Sequence, residues 1–138
     1  MERKDFLSLL GLGAAAIVCD ICLAGCKSQD DDSLPPHDVD FTLDLKDPTN
    51  RDLAKAGGSL YFDRIIIARP RGDEFVAVSQ TCTHQKVIVQ YDAVDKQFHC
   101  PNHGSNFTLD GKVINGPATQ ALKKYNTVLS GTSLRILS

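Results

Sequence analysis

From Val39 onward the chain is written in short apolar runs broken by turn residues, and the runs repeat with a period of two rather than 3.6. "DFTLDL" (40–45) alternates apolar and polar, the pattern of a strand with one buried face. "SLYFDRIIIARP" and "EFVAVSQ" are rich in β-branched and aromatic residues, and "RPRGDE" between them has hairpin-turn chemistry. Further strands are predicted in "KVIVQYD", "KQFHC", "NFTLDGKVI" with its turn at Asp110-Gly111, "KKYNTVLS" and "SLRILS", the last two joined through Ser130-Gly131-Thr132. Only "TNRDLAKAG" has a case for a helical turn. Many short strands spaced by about eight to twelve residues predict an all-β fold, an antiparallel sandwich or barrel. No internal repeat is evident.

Ahead of the strands the texture changes twice. "MERKD" supplies Arg3 and Lys4, and "FLSLLGLGAAAIVCDIC" follows as an apolar run ending in "LAGC". Residues 1–25 therefore read as a signal peptide to be set apart from the fold. An uncleaved transmembrane anchor over Phe6 to Cys26 is the competing reading, since that run is about long enough to cross a bilayer. Asp20 argues against it, because a carboxylate near the centre of a spanning helix costs about 2.5–3.5 kcal/mol, though less toward an end. Leu23, Ala24, Gly25 and Cys26 resemble the lipobox of bacterial lipoproteins, which implies cleavage before Cys26 and lipidation of its thiol. "RKDFL" also resembles a degraded twin-arginine signal. Residues 26–38, "CKSQDDDSLPPHD", are polar and proline-containing and predict a flexible, solvated tether. Their acidic run resembles the surface-export signal of Bacteroidetes lipoproteins, although a simple spacer accounts for it. The expected product is exported and membrane-anchored, on the periplasmic or cell-surface side of a bacterium, with the folded domain at 39–138. His37, beside two prolines, is given no role.

With 138 residues, 42% hydrophobic and 23% charged, the chain suffices for one compact domain and a modest core. The formal net charge is -2 and the lysines and arginines are scattered. No basic stripe is available to neutralise a phosphate backbone, so nucleic acid is excluded as a partner. No carboxylate pair, nucleophile triad or glycine-rich phosphate loop stands out either.

The soft ligands are concentrated in one stretch. "CTHQKVIVQYDAVDKQFHCPNHGSNF" (82–107) holds three of the four histidines and two of the five cysteines. Cys82 and His84 follow one predicted strand, and Cys100 and His103 follow another, so each pair lies on a loop at a strand end. On cysteine count alone a Cys82–Cys100 disulfide is the default in an oxidising compartment, but it leaves the accompanying histidines unexplained. A structural Cys2His2 zinc site is the next alternative. Zinc fingers, however, usually group cysteine with cysteine and histidine with histidine, whereas each loop here contributes one of each. Mixed pairs suit a binuclear cluster in which one iron takes both thiolates and the other both imidazoles.

These residues resemble the Rieske [2Fe-2S] signature, C-x-H-x15-17-C-x2-H. Cys82, Thr83 and His84, fifteen intervening residues, and "CPNHGSNF" from Cys100 to Phe107 match it, with Pro101 and Gly104 as the usual flanks. "NGPA" (Asn115 to Ala118), containing Pro117, resembles the proline loop that covers the cluster. The resemblance spans roughly Leu60 to Ser138. It implies a Rieske-type fold of stacked antiparallel β-sheets with a two-loop cluster-binding tip, and Cys82, His84, Cys100 and His103 as ligands of a [2Fe-2S] cluster. Ser105 matches the serine whose hydroxyl bonds a bridging sulfide in high-potential members. Phe107 stands where those members have a tyrosine that donates to a ligand sulfur. Their extra disulfide between the loops has Val87 and Asn102 at the matching positions. The resemblance therefore implies a middle or low potential.

The expected function is one-electron transfer rather than stand-alone catalysis. The leading expectation is a lipid-anchored carrier serving redox protein partners through exposed His84 and His103. The alternative is the iron-sulfur subunit of a membrane oxidoreductase, of cytochrome bc or arsenite-oxidase type. His99 is expected to point away from the ligands by strand alternation, and Tyr61, Phe62, Phe75, Tyr91 and Phe98 to serve in the core or in cross-strand pairs.

Overall fold

The structure, a computed structural model, describes residues 34–138. The segment expected to be a signal peptide and Cys26, the expected lipidation site, lie outside the described residues, as does most of the expected tether. Among the described residues the regular elements are ten strands and one short 3₁₀ segment. The strands are β1 (Asp40–Asp44), β2 (Ser59–Phe62), β3 (Ile65–Arg71), β4 (Glu74–Ser79), β5 (Gln90–Asp92), β6 (Gln97–His99), β7 (Asn106–Phe107), β8 (Val113–Asn115), β9 (Lys124–Ser130) and β10 (Ser133–Leu137). The 3₁₀ segment, Pro48–Leu53, starts with Pro48 inside the turn and Asp47 accepting from the Thr49 amide, as its sequence invites. No helix among these residues is long and apolar enough to cross a membrane.

The strands form two antiparallel sheets. The larger runs in the order β1-β10-β9-β4-β3-β2, and the smaller in the order β5-β6-β7-β8. Strands β4 and β9 are neighbours in the large sheet, with Ala77 opposite Tyr125 and Val78 opposite Lys124. Everything between them in sequence therefore leaves the large sheet, builds the small one and returns. That excursion carries all four candidate ligands.

Strand alternation explains where the core lies. β3 reads Ile65-Ile66-Ile67-Ala68 and β4 reads Phe75-Val76-Ala77-Val78, with no polar residue interrupting, because both faces of these strands are covered. Ile65, Ile67, Phe75 and Ala77 join Val39, Leu43, Leu53, Tyr125, Leu134 and Ile136 in one apolar cluster. Ile66, Ala68, Val76 and Val78 face the other way, into a second cluster with Val89, Phe98, Phe107, Ala118, Leu122 and the two cysteines. The second core is the floor of the ligand-bearing tip.

Three expectations are refined. "SLYFDRIIIARP" is two strands, not one, because Asp63 and Arg64 both take positive φ (49° and 63°) and turn the chain back on itself. Of "KVIVQYD", only Gln90–Asp92 is a strand. Its first half folds back toward Gln80–Cys82 instead, through a Thr81–Ile88 bridge and Val89 N–H to the Gln80 carbonyl at 2.8 Å. Finally, the stretch expected to be tether up to residue 38 meets the domain at its last residues. Pro36 is buried, and its carbonyl accepts from the Tyr125 hydroxyl at 2.8 Å and from Lys123 Nζ at 3.1 Å.

Candidate metal centre

Two tight loops carry the candidate ligands. In the first, Cys82 N–H donates to the Val87 carbonyl at 2.7 Å and Lys86 N–H to the Cys82 carbonyl at 2.9 Å, with Lys86 in the left-handed region at φ 57°. In the second, Cys100 N–H donates to the Ser105 carbonyl at 2.8 Å and Gly104 N–H to the Cys100 carbonyl at 3.1 Å. Gly104 has φ 78°, a conformation that a residue with a Cβ reaches only under strain. The flank expected from the sequence thus has a backbone reason.

The loops bring the four donors together as two pairs. Cys82 and Cys100 are each 1% exposed, are free thiols and belong to the same buried cluster. No disulfide joins them. His84 and His103 face solvent, their ring centroids 5.4 Å apart and nearly perpendicular. Among the described residues no three His, Cys, Asp or Glu side chains close around one point.

Burial pushes the Cys82 thiol pKa up and the bond to Cys100 adds to it, while the backbone N–H groups of His84 and Gln85 pull the other way. The net rise means that the sulfur stays protonated until a metal displaces the proton. The two N–H groups stand ready to receive the thiolate's charge.

The surroundings sort the remaining candidates. Ser105 is fully buried, and its Oγ accepts from Ala118 N–H at 3.0 Å, which leaves its own proton free to donate. Phe107 is fully buried on the floor and brings no hydroxyl. Pro117 follows a cis bond from Gly116 and is exposed. The segment around it touches both loops: Ala118 at Ser105, Asn115 Nδ2 on the Gly104 carbonyl at 2.9 Å, and Thr83 Oγ1 on the Gln120 carbonyl at 2.7 Å. His99 pairs with Asn106 Oδ1 at 2.7 Å and is no part of the donor set. His37 lies 3.5 Å from Lys123 Nζ, away from the donors.

Sequence reasoning passed over Gln85, whose side chain crosses from the first loop to Asn102 and His103 of the second. It also passed over the side-chain ladder from Asn106 to Asn115 to the Gly104 carbonyl. Glutamine and asparagine offer no spacing signal, so only their position could disclose them.

The model of the Rieske [2Fe-2S] domain matches residues 37–126. The chain belongs to the Rieske [2Fe-2S] family. A cytochrome b6-f complex iron-sulfur subunit of Chlorobaculum tepidum is 36% identical over 128 residues, 90% of this chain and 68% of that protein. Its counterpart from Chlorobaculum thiosulfatiphilum is 36% identical over 74 residues, 54% of this chain and 40% of that one. Much of that second relative thus has no counterpart in the match. Among solved structures, the ferredoxin of carbazole 1,9a-dioxygenase from Nocardioides aromaticivorans superposes with a TM-score of 0.55 at 20% identity, covering 75% of this chain and 96% of that one. It shares the fold. As a Rieske protein this chain carries a [2Fe-2S] cluster and transfers electrons, and the donor set fits that group: two buried sulfurs for one iron, two exposed imidazoles for the other.

Charge explains why such a ligand set suits an electron carrier. Two ferric ions, two sulfides and two thiolates sum to a neutral oxidised centre, whereas four thiolates leave a dianion that accepts an electron less readily. Mixed-ligand centres accordingly have potentials of about -150 to +300 mV, against about -400 mV for plant-type ferredoxins.

Proposed function

We propose that this Rieske protein is a membrane-tethered, one-electron carrier, with Cys82 and Cys100 holding the inner iron and His84 and His103 the outer. The observation that carries the reading is the pairing of two buried thiols beneath two solvent-facing imidazoles at the end of a rigid β-scaffold. Electrons enter and leave through the exposed rings, while the sulfurs stay out of water. The chain's own groups bind, orient and shield. Val89, Phe98 and Phe107 floor the site with apolar surface, the segment from Asn115 to Gln120 fastens both loops, and Ser105 offers a hydroxyl proton toward the buried side. The absence of a hydroxyl at Phe107 supports a middle or low potential. Protein-film voltammetry checks this, and a midpoint near the top of the family's range contradicts it.

The partner is a redox subunit of a membrane complex. The relative that aligns over 90% of this chain is named as a subunit of such a complex, and this favours the subunit reading over a free-standing carrier. Cys26 is the lipid anchor and residues 1–25 are removed on export, which sets the domain on the periplasmic or cell-surface side. Extraction in mild detergent distinguishes the readings: stoichiometric co-purification with a cytochrome subunit supports the complex, and isolation of the chain alone supports the free carrier. Radiolabelled palmitate should enter the wild-type protein but not Cys26→Ala.

A further inference from the structure

Each ligand loop is closed upon itself by backbone hydrogen bonds, Cys82 to Val87 in the first and Cys100 to Ser105 in the second. Those bonds hold each loop's shape but not the spacing between the loops. Gln85 bridges that gap. It is exposed, it directly follows His84, and its Oε1 meets two groups of the opposite loop, Asn102 Nδ2 and His103 Nε2, the latter at 2.8 Å.

We propose that Gln85 is a positioning residue that clips the two loops together and selects the tautomer of His103. The proposal rests on the reading above, in which His103 is a cluster ligand. An amide oxygen only accepts hydrogen bonds. A neutral His103 facing it therefore carries its proton on Nε2 and presents a bare lone pair at Nδ1, the nitrogen left for a metal. The same oxygen accepts from Asn102, so the backbone neighbour of His103 is held as well. One side chain of the first loop thus sets both the position and the protonation pattern of a ligand on the second. Any residue here could supply the backbone N–H that faces Cys82, whereas the exposed side chain contributes no core and meets only the opposite loop in the bonds described.

The test uses the anaerobically purified, cluster-loaded protein in four forms: wild type, Gln85→Leu, Gln85→Glu and Asn102→Ala. Two quantities are read: the rate at which a ferrous chelator bleaches the visible absorption, and the paramagnetic resonance spectrum of the reduced state. Gln85→Leu keeps the bulk and loses the acceptor. It should bleach about three- to tenfold faster, the factor that one net hydrogen bond implies, and shift the reduced-state spectrum. Gln85→Glu replaces the amide by a carboxylate, so an acceptor oxygen stays at the same reach, and it should stay near the wild-type rate, while Asn102→Ala, which leaves the His103 contact, should fall between. Wild-type bleaching and spectrum in Gln85→Leu overturn the clip, as does a Gln85→Glu protein indistinguishable from Gln85→Leu. Should Gln85→Leu fail to fold, Asn102→Ala decides by the same two readouts, and a wild-type result there overturns the clip. Iron and sulfide analysis of the unmodified protein separates the two levels: a wild type without iron sinks the ligand reading and the clip with it, whereas a loaded wild type with an insensitive Gln85→Leu sinks the clip alone.

Discussion

Ser105 and Phe107 lie two residues apart at the site's floor, both fully buried, and on the proposed ligand set substitutions at the two should move the potential in opposite senses. Ser105 accepts from Ala118 N–H and keeps a proton to give. Replacing it by alanine orphans a buried N–H, which costs about 1–3 kcal/mol of stability. It also removes a donor that favours the more negative, reduced state, so Ser105→Ala should lower both the denaturation midpoint and the reduction potential. Phe107→Tyr runs the other way. One hydrogen bond of about 1 kcal/mol, applied to a one-electron couple, is roughly 40 mV, and voltammetry should find the variant's midpoint higher by about that much. An unchanged midpoint in both variants would mean that these side chains do not face the cluster.

At the scale of elements, Gly111 couples the small sheet to the proline segment. It sits at φ 84° in the β7–β8 turn, and its carbonyl accepts from Leu122 N–H at 2.8 Å. A Cβ there would lie 2.6 Å from the Leu122 carbonyl oxygen. Gly111→Ala should therefore cost more than the roughly 1–2 kcal/mol of a left-handed backbone alone, and urea denaturation measures it. The turn at Asp110-Gly111 was legible in the sequence because glycine advertises it. The turn at Asp63-Arg64 was not, since neither residue is a glycine and the apolar run passes straight across it. Likewise "KVIVQYD" carries a strand's composition, but Lys86 turns left-handed and commits the first half to closing a ligand loop. Composition reports which residues seek the core, and loop closure decided here how they reach it. The four donors and their flanks could be read from spacing, whereas Gln85 and the asparagine ladder, which fasten the loops in space, have no spacing to read.

At the scale of the whole molecule the two cores divide the work. Ile66 and Ile67 are adjacent, fully buried and alike in size, yet Ile66 faces the cysteine-bearing cluster and Ile67 the opposite one. Truncating either to alanine should cost about 2–5 kcal/mol, and only Ile66→Ala should also shorten the cluster's lifetime against a chelator. Tyr125 joins the second core to the chain's approach through its bond to the Pro36 carbonyl. Burial pushes its phenol up to about 12, while an unfolded tyrosine ionises near 10. The folded state thus holds the proton more tightly. This contribution is present in full below about pH 10 and is lost as pH rises toward 12. Tyr125→Phe should show a shallower alkaline loss of stability in thermal unfolding.

On the function proposed above, two loops of this β-scaffold hold a [2Fe-2S] cluster between a thiol pair and an imidazole pair. Metal and sulfide analysis of the anaerobically purified protein, combined with paramagnetic resonance before and after reduction, tests it most directly. The expected result is two irons and two labile sulfides per chain, silence when oxidised and a signal on taking up one electron, all lost in Cys82→Ser and His103→Ala. A colourless protein holding one zinc, or one in which Cys82 and Cys100 are joined as a disulfide, would contradict it.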